Sequence, residues 1–394
     1  RLVQHRSELR IGMPRVLNLY SLAPFFMGYF QSLGIPGDRI VWSDRTSEKL
    51  FRDGAKRGSV DPCYPSKVCI PHVHNLLFEK HPKKPLTHLF FPMIDAVPPF
   101  VACATASRSC PTSTATPEAV HAAFIKEGDV FARAGIVFKK TLTSLDQPGL
   151  CARQLAEDWA DALGVTERES GRAVEQGLRA LQAYQQRVRA EGRALLEAIE
   201  REDRLGIVLL ARSYHGDPGI NHGICEEFQK LGYPVFTPES LPTDPDILAR
   251  LFGEDLTEGR ISHPLSIEDV WRNSYSENSS RKLWAAKFTA RHPNLVALEL
   301  SSFKCGMDAP IYTTIEQIIE QSDTPFFYFR DIDENKPRGS IRIRIETIAY
   351  FLRRYHERLL SERMTRAEIE ARLQAYEKRL RRAFASDGDS VAVA

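Results

Sequence analysis

Short apolar runs of strand length, each followed by a turn signal and then a segment of helical period, recur along this chain and constrain its fold class more than any other feature. Residues 11–18 read as a strand, 24–33 as an apolar helix, Gly34-Ile35-Pro36-Gly37 as a turn, and 39–43 as a second strand. Strand, helix and strand at this spacing make a parallel βαβ unit. A helix over 66–79, a strand over 87–92 and a helix over 117–127 continue the alternation. A second series opens with the buried run 205–211. There Asp217 can cap, and Pro218 can open, a helix that reaches Lys230. Strands follow at 234–237, 294–300 and 324–329, around a helix over 313–320. The expectation is an α/β fold of two Rossmann-like or flavodoxin-like parallel-sheet domains, at 10–150 and 205–340.

Between them, residues 151–204 are rich in Ala, Leu, Glu, Arg and Gln, with Leu178, Leu181, Tyr184 and Val188 at helical spacing, and read as a helical connector. A C-terminal helical segment is expected over 341–386. In it, Thr365 and Glu368 form a capping-box pattern ahead of Ile369, Leu373, Tyr376 and Leu380. Its basic residues Arg372, Lys378, Arg379, Arg381 and Arg382 read as a solvated face, with an acidic partner as the alternative. Residues after 386 read as a frayed tail.

At 394 residues the chain exceeds one ordinary domain, and no apolar run is long enough for a spanning helix. Lys and Arg number 53 against 51 Asp and Glu, and this near balance gives no argument for nucleic acid or an anionic membrane as partner. The chain opens without Met or an apolar signal core, which suggests a piece of a longer polypeptide. Seven cysteines, an odd number, point to reduced thiols and a cytoplasmic setting.

Phosphate-loop, Gly-x-Gly-x-x-Gly, His-Glu-x-x-His and Gly-x-Ser-x-Gly patterns are all missing from the sequence. Cysteine placement is more informative. Cys63 precedes an expected helix, Cys110 sits in a loop after a strand, and Cys305 directly follows the strand ending at Leu300. Loops beyond the carboxyl ends of parallel strands are where such folds collect ligands. The near pairs, Cys63 with Cys69 and Cys103 with Cys110, are spaced too widely for a zinc ribbon. On spacing alone, iron–sulfur ligation, inert thiols and, less favoured, structural zinc all remain open.

Four stretches carry a family resemblance: Ile-Gly-Met-Pro-Arg-Val-Leu-Asn (11–18), Asp-Pro-Cys-Tyr-Pro-Ser-Lys (61–67), Ala-Arg-Ser-Tyr-His-Gly-Asp-Pro-Gly-Ile-Asn-His (211–222) and Leu-Ser-Ser-Phe-Lys-Cys-Gly-Met-Asp (300–308). Over about residues 10–358 the chain resembles the acyl-CoA dehydratase activase-related family, within the group of 2-hydroxyacyl-CoA dehydratases, benzoyl-CoA reductases and double-cubane cluster proteins. The resemblance implies an iron–sulfur cluster at the domain interface, with Cys63, Cys110 and Cys305 as ligands and Cys69 and Cys103 as additional candidates. A single [4Fe-4S] cubane is favoured, since a double cubane would need nearly all the remaining cysteines. Cys151 and Cys225 are then structural. An ATP-dependent activase domain of the acetate kinase and actin-like type, separate or in the same longer chain, is the implied electron source, and a homodimer is an option.

Tyr214, His215, Asn221 and His222 flank the start of the second-domain helix, where an anion would be favoured. His215 could supply a proton to a reduced substrate, and the alternative is a capping or core role for both histidines. Tyr214, Asn221 and Lys67 are the cofactor-binding candidates. Lys67 and Arg108 could offset thiolate charge, with ordinary surface exposure as the alternative. His72 and His74 read as packed or surface residues, and Asp331 to Glu334 as a solvated acidic turn. The functional expectation is an iron–sulfur protein that takes low-potential electrons from the activase and reduces or dehydrates a small substrate such as an acyl-CoA. The alternative is a non-catalytic electron-relay and docking module.

Overall fold

Ile11, Met13, Leu89 and Phe90 leave their strands without a polar face, a composition stable only inside a parallel sheet covered on both sides. The computed structural model, which describes residues 2–57, 63–333 and 338–388, shows two such sheets. The first contains β1 (Ile11–Met13), β2 (Ile40–Trp42), β3 (His88–Phe90) and, after β4 (Met93–Ala96), β5 (Val137–Lys139). Its order is β2-β1-β3-β5, all parallel. β4 pairs with β6 (Leu142–Ser144) as a parallel extension of the β3–β5 ladder. The interruption falls at Pro92, which has no amide to donate.

The second sheet contains β7 (Gly206–Leu210), β8 (Val235–Phe236), β9 (Leu295–Leu300) and β10 (Phe326–Phe329), in the order β8-β7-β9-β10 and again all parallel. Both sheets therefore run second, first, third, fourth. In each, the strand order reverses between the first and third strands, where ligands of doubly wound folds bind.

The connector is two helices, Pro148–Leu163 and Glu167–Arg201. Thr166 caps the second with its side chain on the Glu169 amide, and its 35 residues span about 50 Å. This helix crosses Leu19–Ser32 closely: a Cβ at Gly177 would lie 2.7 Å from the Phe25 carbonyl oxygen, so only glycine fits there. Trp159, Phe30 and Phe90 pack edge to face beneath the crossing. Among the described residues no helix is long and apolar enough to cross a membrane.

Several element expectations change. The strand expected over 11–18 stops at Met13, and the helix after it starts at Leu19 with Pro24 inside. The helix expected over 66–79 is divided into Tyr64–Lys67, Cys69–Asn75 and a π turn, Leu76–Lys80. The helix expected from 117 starts at Pro111. Asp217 does not begin a helix: the chain forms a tight turn at Ser213–Gly216 and becomes helical only at Ile224–Lys230, with one Asp217 oxygen accepting the Gly219 amide at 2.8 Å and the other engaged by the first half of the molecule. The C-terminal helix is continuous over Arg338–Gly388, so Thr365 caps nothing and bonds back to the Ser361 carbonyl, 3.0 Å away.

Candidate functional site

Cys63 is the extended residue before the helix Tyr64–Lys67, and Cys110 the extended residue before Pro111–Ile125. The Cys110 side chain makes no cap bond. Cys305 lies in the turn after β9, where its amide donates to the Ser302 carbonyl at 2.9 Å and its carbonyl accepts from Asp308 and Ala309. Cys110 and Cys305 thus both follow the third strand of their own sheet.

The two halves are joined around these cysteines. Arg108 donates its amide to the Tyr275 carbonyl at 2.8 Å and accepts from Glu277 at 3.1 Å, which ties the Cys110 loop to the second half. Asn18 bonds both Ser109 and Asn278. Asp217, wholly buried, accepts from Tyr20, from the Thr46 amide at 3.1 Å and from the Thr46 hydroxyl at 2.8 Å, all from the first half. A Cβ at Gly219 would lie 2.3 Å from the Thr46 carbonyl oxygen, so this approach also requires glycine.

The three thiols lie along this seam, near enough that Cys63 feels the charges of the other two. Burial pushes Cys63 up to about 11 against the Ser66 amide, the charges of Cys110 and Cys305 add to the rise, and Arg212 opposes it. Burial and the Asp308 charge raise Cys305, with Arg212 again opposing. Left to themselves, Cys63 and Cys305 stay protonated, and a bound cationic group would reverse that balance. Cys63 and Cys305 line one small cavity together with Tyr64, Tyr214, His215 and Asp308.

Beneath the cavity lies a buried chain of charges. Arg212 Nη2 donates to Asp308 Oδ1 at 2.7 Å, and Lys282 Nζ stands 3.2 Å from Oδ2. Lys282 also pairs with Glu299 at 2.7 Å, Glu299 with Arg330, and Arg330 with Glu316. Burial alone would raise the Asp308 carboxyl, but Arg212 and Lys282 hold it well below the usual carboxylate range. The pair spans the turns after β7 and β9, the point where strand order reverses.

His215 accepts the Arg212 amide proton on Nδ1, which assigns the ring proton to Nε2, and burial lowers its pKa to about 3. It is a neutral hydrogen-bond donor beside the cavity. Tyr214 is buried there with its phenol pKa raised by burial. Asn221 is used internally: it donates to the His215 carbonyl at 2.9 Å and accepts from the Gly223 amide at 2.7 Å. His222 stacks on Tyr64 and contacts the Asp333 carbonyl at 2.8 Å. Lys67 ends its helix half-buried.

The remaining cysteines divide differently. Cys69 is buried, donates to the Pro65 carbonyl at 3.3 Å, and is pushed well up by burial. Cys103 is exposed with φ of 63°, its sulfur 3.5 Å from the Ser262 hydroxyl. Cys151 and Cys225 are raised to about 12 by burial. His72 is buried on Ser43 and Thr46, His74 lies against Phe78, Arg108 pairs with Asp95, and Asp331 pairs with Arg344. Asp61, Pro62 and Glu334 lie outside the described residues.

The sequence reading passed over Arg212 and Asp308 even though both stand in the stretches that carry the resemblance. For Arg212 the available signal was a charged residue just after a fully buried strand, because burial of such a charge needs a partner.

Among the described residues, no three His, Cys, Asp or Glu side chains close on one point as ligands of a single metal ion do. A cubane asks for something else, since each of its thiolates binds a different iron and the sulfurs stand around the cluster rather than around one ion. The donor chemistry fits such a group: three thiols from three loops, with the Arg212 guanidinium acting on Cys63 and Cys305 and its Nε buried without a hydrogen-bond partner in this structure.

Residues 10–241, more than half of the chain, match the family model described as the CoA enzyme activase uncharacterised domain. The chain belongs to this family. Membership links it to the CoA-enzyme activation systems of acyl-CoA dehydratases. Cys63, Cys110, Arg212, Tyr214, His215 and Asn221 lie inside the matched residues, and Cys305 and Asp308 beyond them. Among curated proteins none matches the chain.

Proposed function

We propose that this member of the CoA enzyme activase domain family holds a [4Fe-4S] cluster on Cys63, Cys110 and Cys305 and accepts low-potential electrons for a small substrate, an acyl-CoA in the fullest form of the reading. What supports it is the placement of three thiols from three separate loops along the seam between two parallel-sheet halves, with Cys63 and Cys305 lining one cavity and Cys110 near enough to act on the charge of Cys63. When bound, the cluster supplies one-electron chemistry, and three protein thiolates leave one iron open to a further ligand. The residues around it have distinct tasks. Arg212 sets a positive charge beside the thiols, offsetting the negative charge that three thiolates bring. Asp308 holds the Arg212 guanidinium and the Cys305 turn in one geometry, since it accepts from the first and its amide bonds within the second. His215 offers a hydrogen bond from a neutral ring, and Tyr214 and Tyr64 cover the cavity from water. The electron donor in this reading is an ATP-dependent activase domain.

Anaerobic purification, iron and sulfide analysis and EPR after dithionite test this reading. About four irons per chain are expected, and each Ser replacement of Cys63, Cys110 or Cys305 is expected to lower that content, whereas Cys151→Ser leaves it unchanged. A chain that takes up no iron on anaerobic reconstitution refutes the proposal. A cluster whose EPR signal no acyl-CoA perturbs would favour a relay without a substrate site.

A further inference from the structure

The C-terminal helix Arg338–Gly388 carries one apolar stripe with two different fates. Ile341, Ile345, Ile348 and Leu352 are buried, and Tyr355 and Leu359 pack partly against the same core. Their spacing alternates four and three residues, the period of a coiled-coil seam. The same alternation continues beyond the globular body in Ile369, Leu373, Tyr376 and Leu380, which are between 41% and 62% exposed. Glu362 and Arg366 occupy the two seam positions between the halves of the stripe, and Arg363 makes the last contacts to the body, through Asp203 and Asn294. Among the described residues, the distal stripe covers nothing in its own chain.

We propose that this distal segment is a self-association arm, in which a second copy of the chain pairs with it as a parallel two-stranded coiled coil. The charges beside the stripe select both the occupant and its direction. With Ile369 and Tyr376 at d, and Leu373 and Leu380 at a, the e positions are Glu370 and Glu377 and the g positions are Arg372 and Arg379. In a parallel pair, the g residue of one helix meets the e residue of the next heptad on its partner, so Arg372 faces Glu377 of the second copy, and the reverse. An antiparallel pair would set e against e and g against g, Glu on Glu and Arg on Arg. Arg366 at an a position puts one guanidinium per copy on the seam, so each added copy adds a like charge and two copies carry the fewest.

The bodies also fit. A straight helix drifts about 20° per heptad from an exact seven-residue repeat, so over the four heptads between the buried and exposed stripes the face turns by about 80°. In a two-fold pair whose distal stripes face each other, the two bodies then lie on opposite sides of the seam instead of colliding. The arm is independent of the cysteine site.

Sedimentation equilibrium of the full chain over about 1–100 μM is the test. The mass is expected to double across it. Leu373→Asp should remain monomeric throughout. Arg372→Glu should weaken the dimer about ten-fold, since two attractive contacts become repulsive, and adding Glu377→Arg should restore it to within about three-fold. At concentrations low enough that the wild type is monomeric, all three variants should keep its unfolding midpoint, because every changed side chain is exposed in the single chain. A wild-type chain that stays monomeric, a trimer, or a dimer that Leu373→Asp leaves intact overturns the arm; failure of the double variant to recover overturns its parallel direction.

Discussion

The Arg212 guanidinium and the Asp308 carboxylate meet at 2.7 Å with neither group exposed, one from the turn after β7 and the other from the turn after β9. Removing one member of a buried pair leaves the other charged and unpaired, which costs about 3–5 kcal/mol. Asp308→Asn is therefore expected to lower the urea midpoint strongly. Because the folded carboxyl is held below its ordinary range, its contribution is complete above the unfolded pKa of about 4 and is lost as the pH falls further. The wild-type midpoint should fall more steeply below about pH 4 than that of the variant; parallel curves would show that the pair contributes nothing.

His72 has a separate pH signature. It is enclosed between the Ser43 and Thr46 hydroxyls, and burial lowers its pKa from 6.5 to about 4. A histidine kept neutral by the fold contributes stability that is complete above its unfolded pKa and lost as the pH falls toward the folded one. Stability should decline from about pH 6.5 to about pH 4, and His72→Gln should flatten part of that decline. Urea midpoints across the window measure it, and an identical slope in the variant would rule His72 out as the source.

Gly219→Ala should separate the halves locally. The new methyl would meet the Thr46 carbonyl oxygen at 2.3 Å, backbone against backbone, where neither side can yield cheaply. A loss of about 1–3 kcal/mol is expected, read as a lower unfolding temperature. An unchanged unfolding temperature would mean that the halves part at this point without cost.

Thiol reactivity should sort the cysteines of the metal-free chain. Cys103 is exposed, whereas burial raises Cys69, Cys151 and Cys225 well above the ordinary thiol range. Brief alkylation of the native protein followed by peptide mass analysis should find Cys103 modified first and those three last. Early modification of Cys151 would contradict the packing described around it.

Much of the fold was legible because burial on both faces leaves no polar alternation: the runs at Ile207–Leu210 and Leu295–Leu300 could hardly be anything but central parallel strands. Element ends were less so. Pro14 ended β1 early, and Asp217, while still accepting the Gly219 amide on one oxygen, gives its other oxygen to Thr46 and Tyr20, residues far away in sequence that no local pattern can foresee. The candidate thiols were found from their place after strands and before helices. What spacing could not supply was the seam itself, because Arg108 and Tyr275, or Asn18 and Asn278, are brought together only by the docking of the two halves.

The identical strand order of the two sheets has a consequence for assembly. Cys63 and Cys110 belong to one half and Cys305 to the other, so neither half alone carries all three thiols. The group completes itself only when two independently wound sheets have docked, and in this sense the site acts as a check on the finished molecule: a chain that has folded halfway presents at most two of the three thiols.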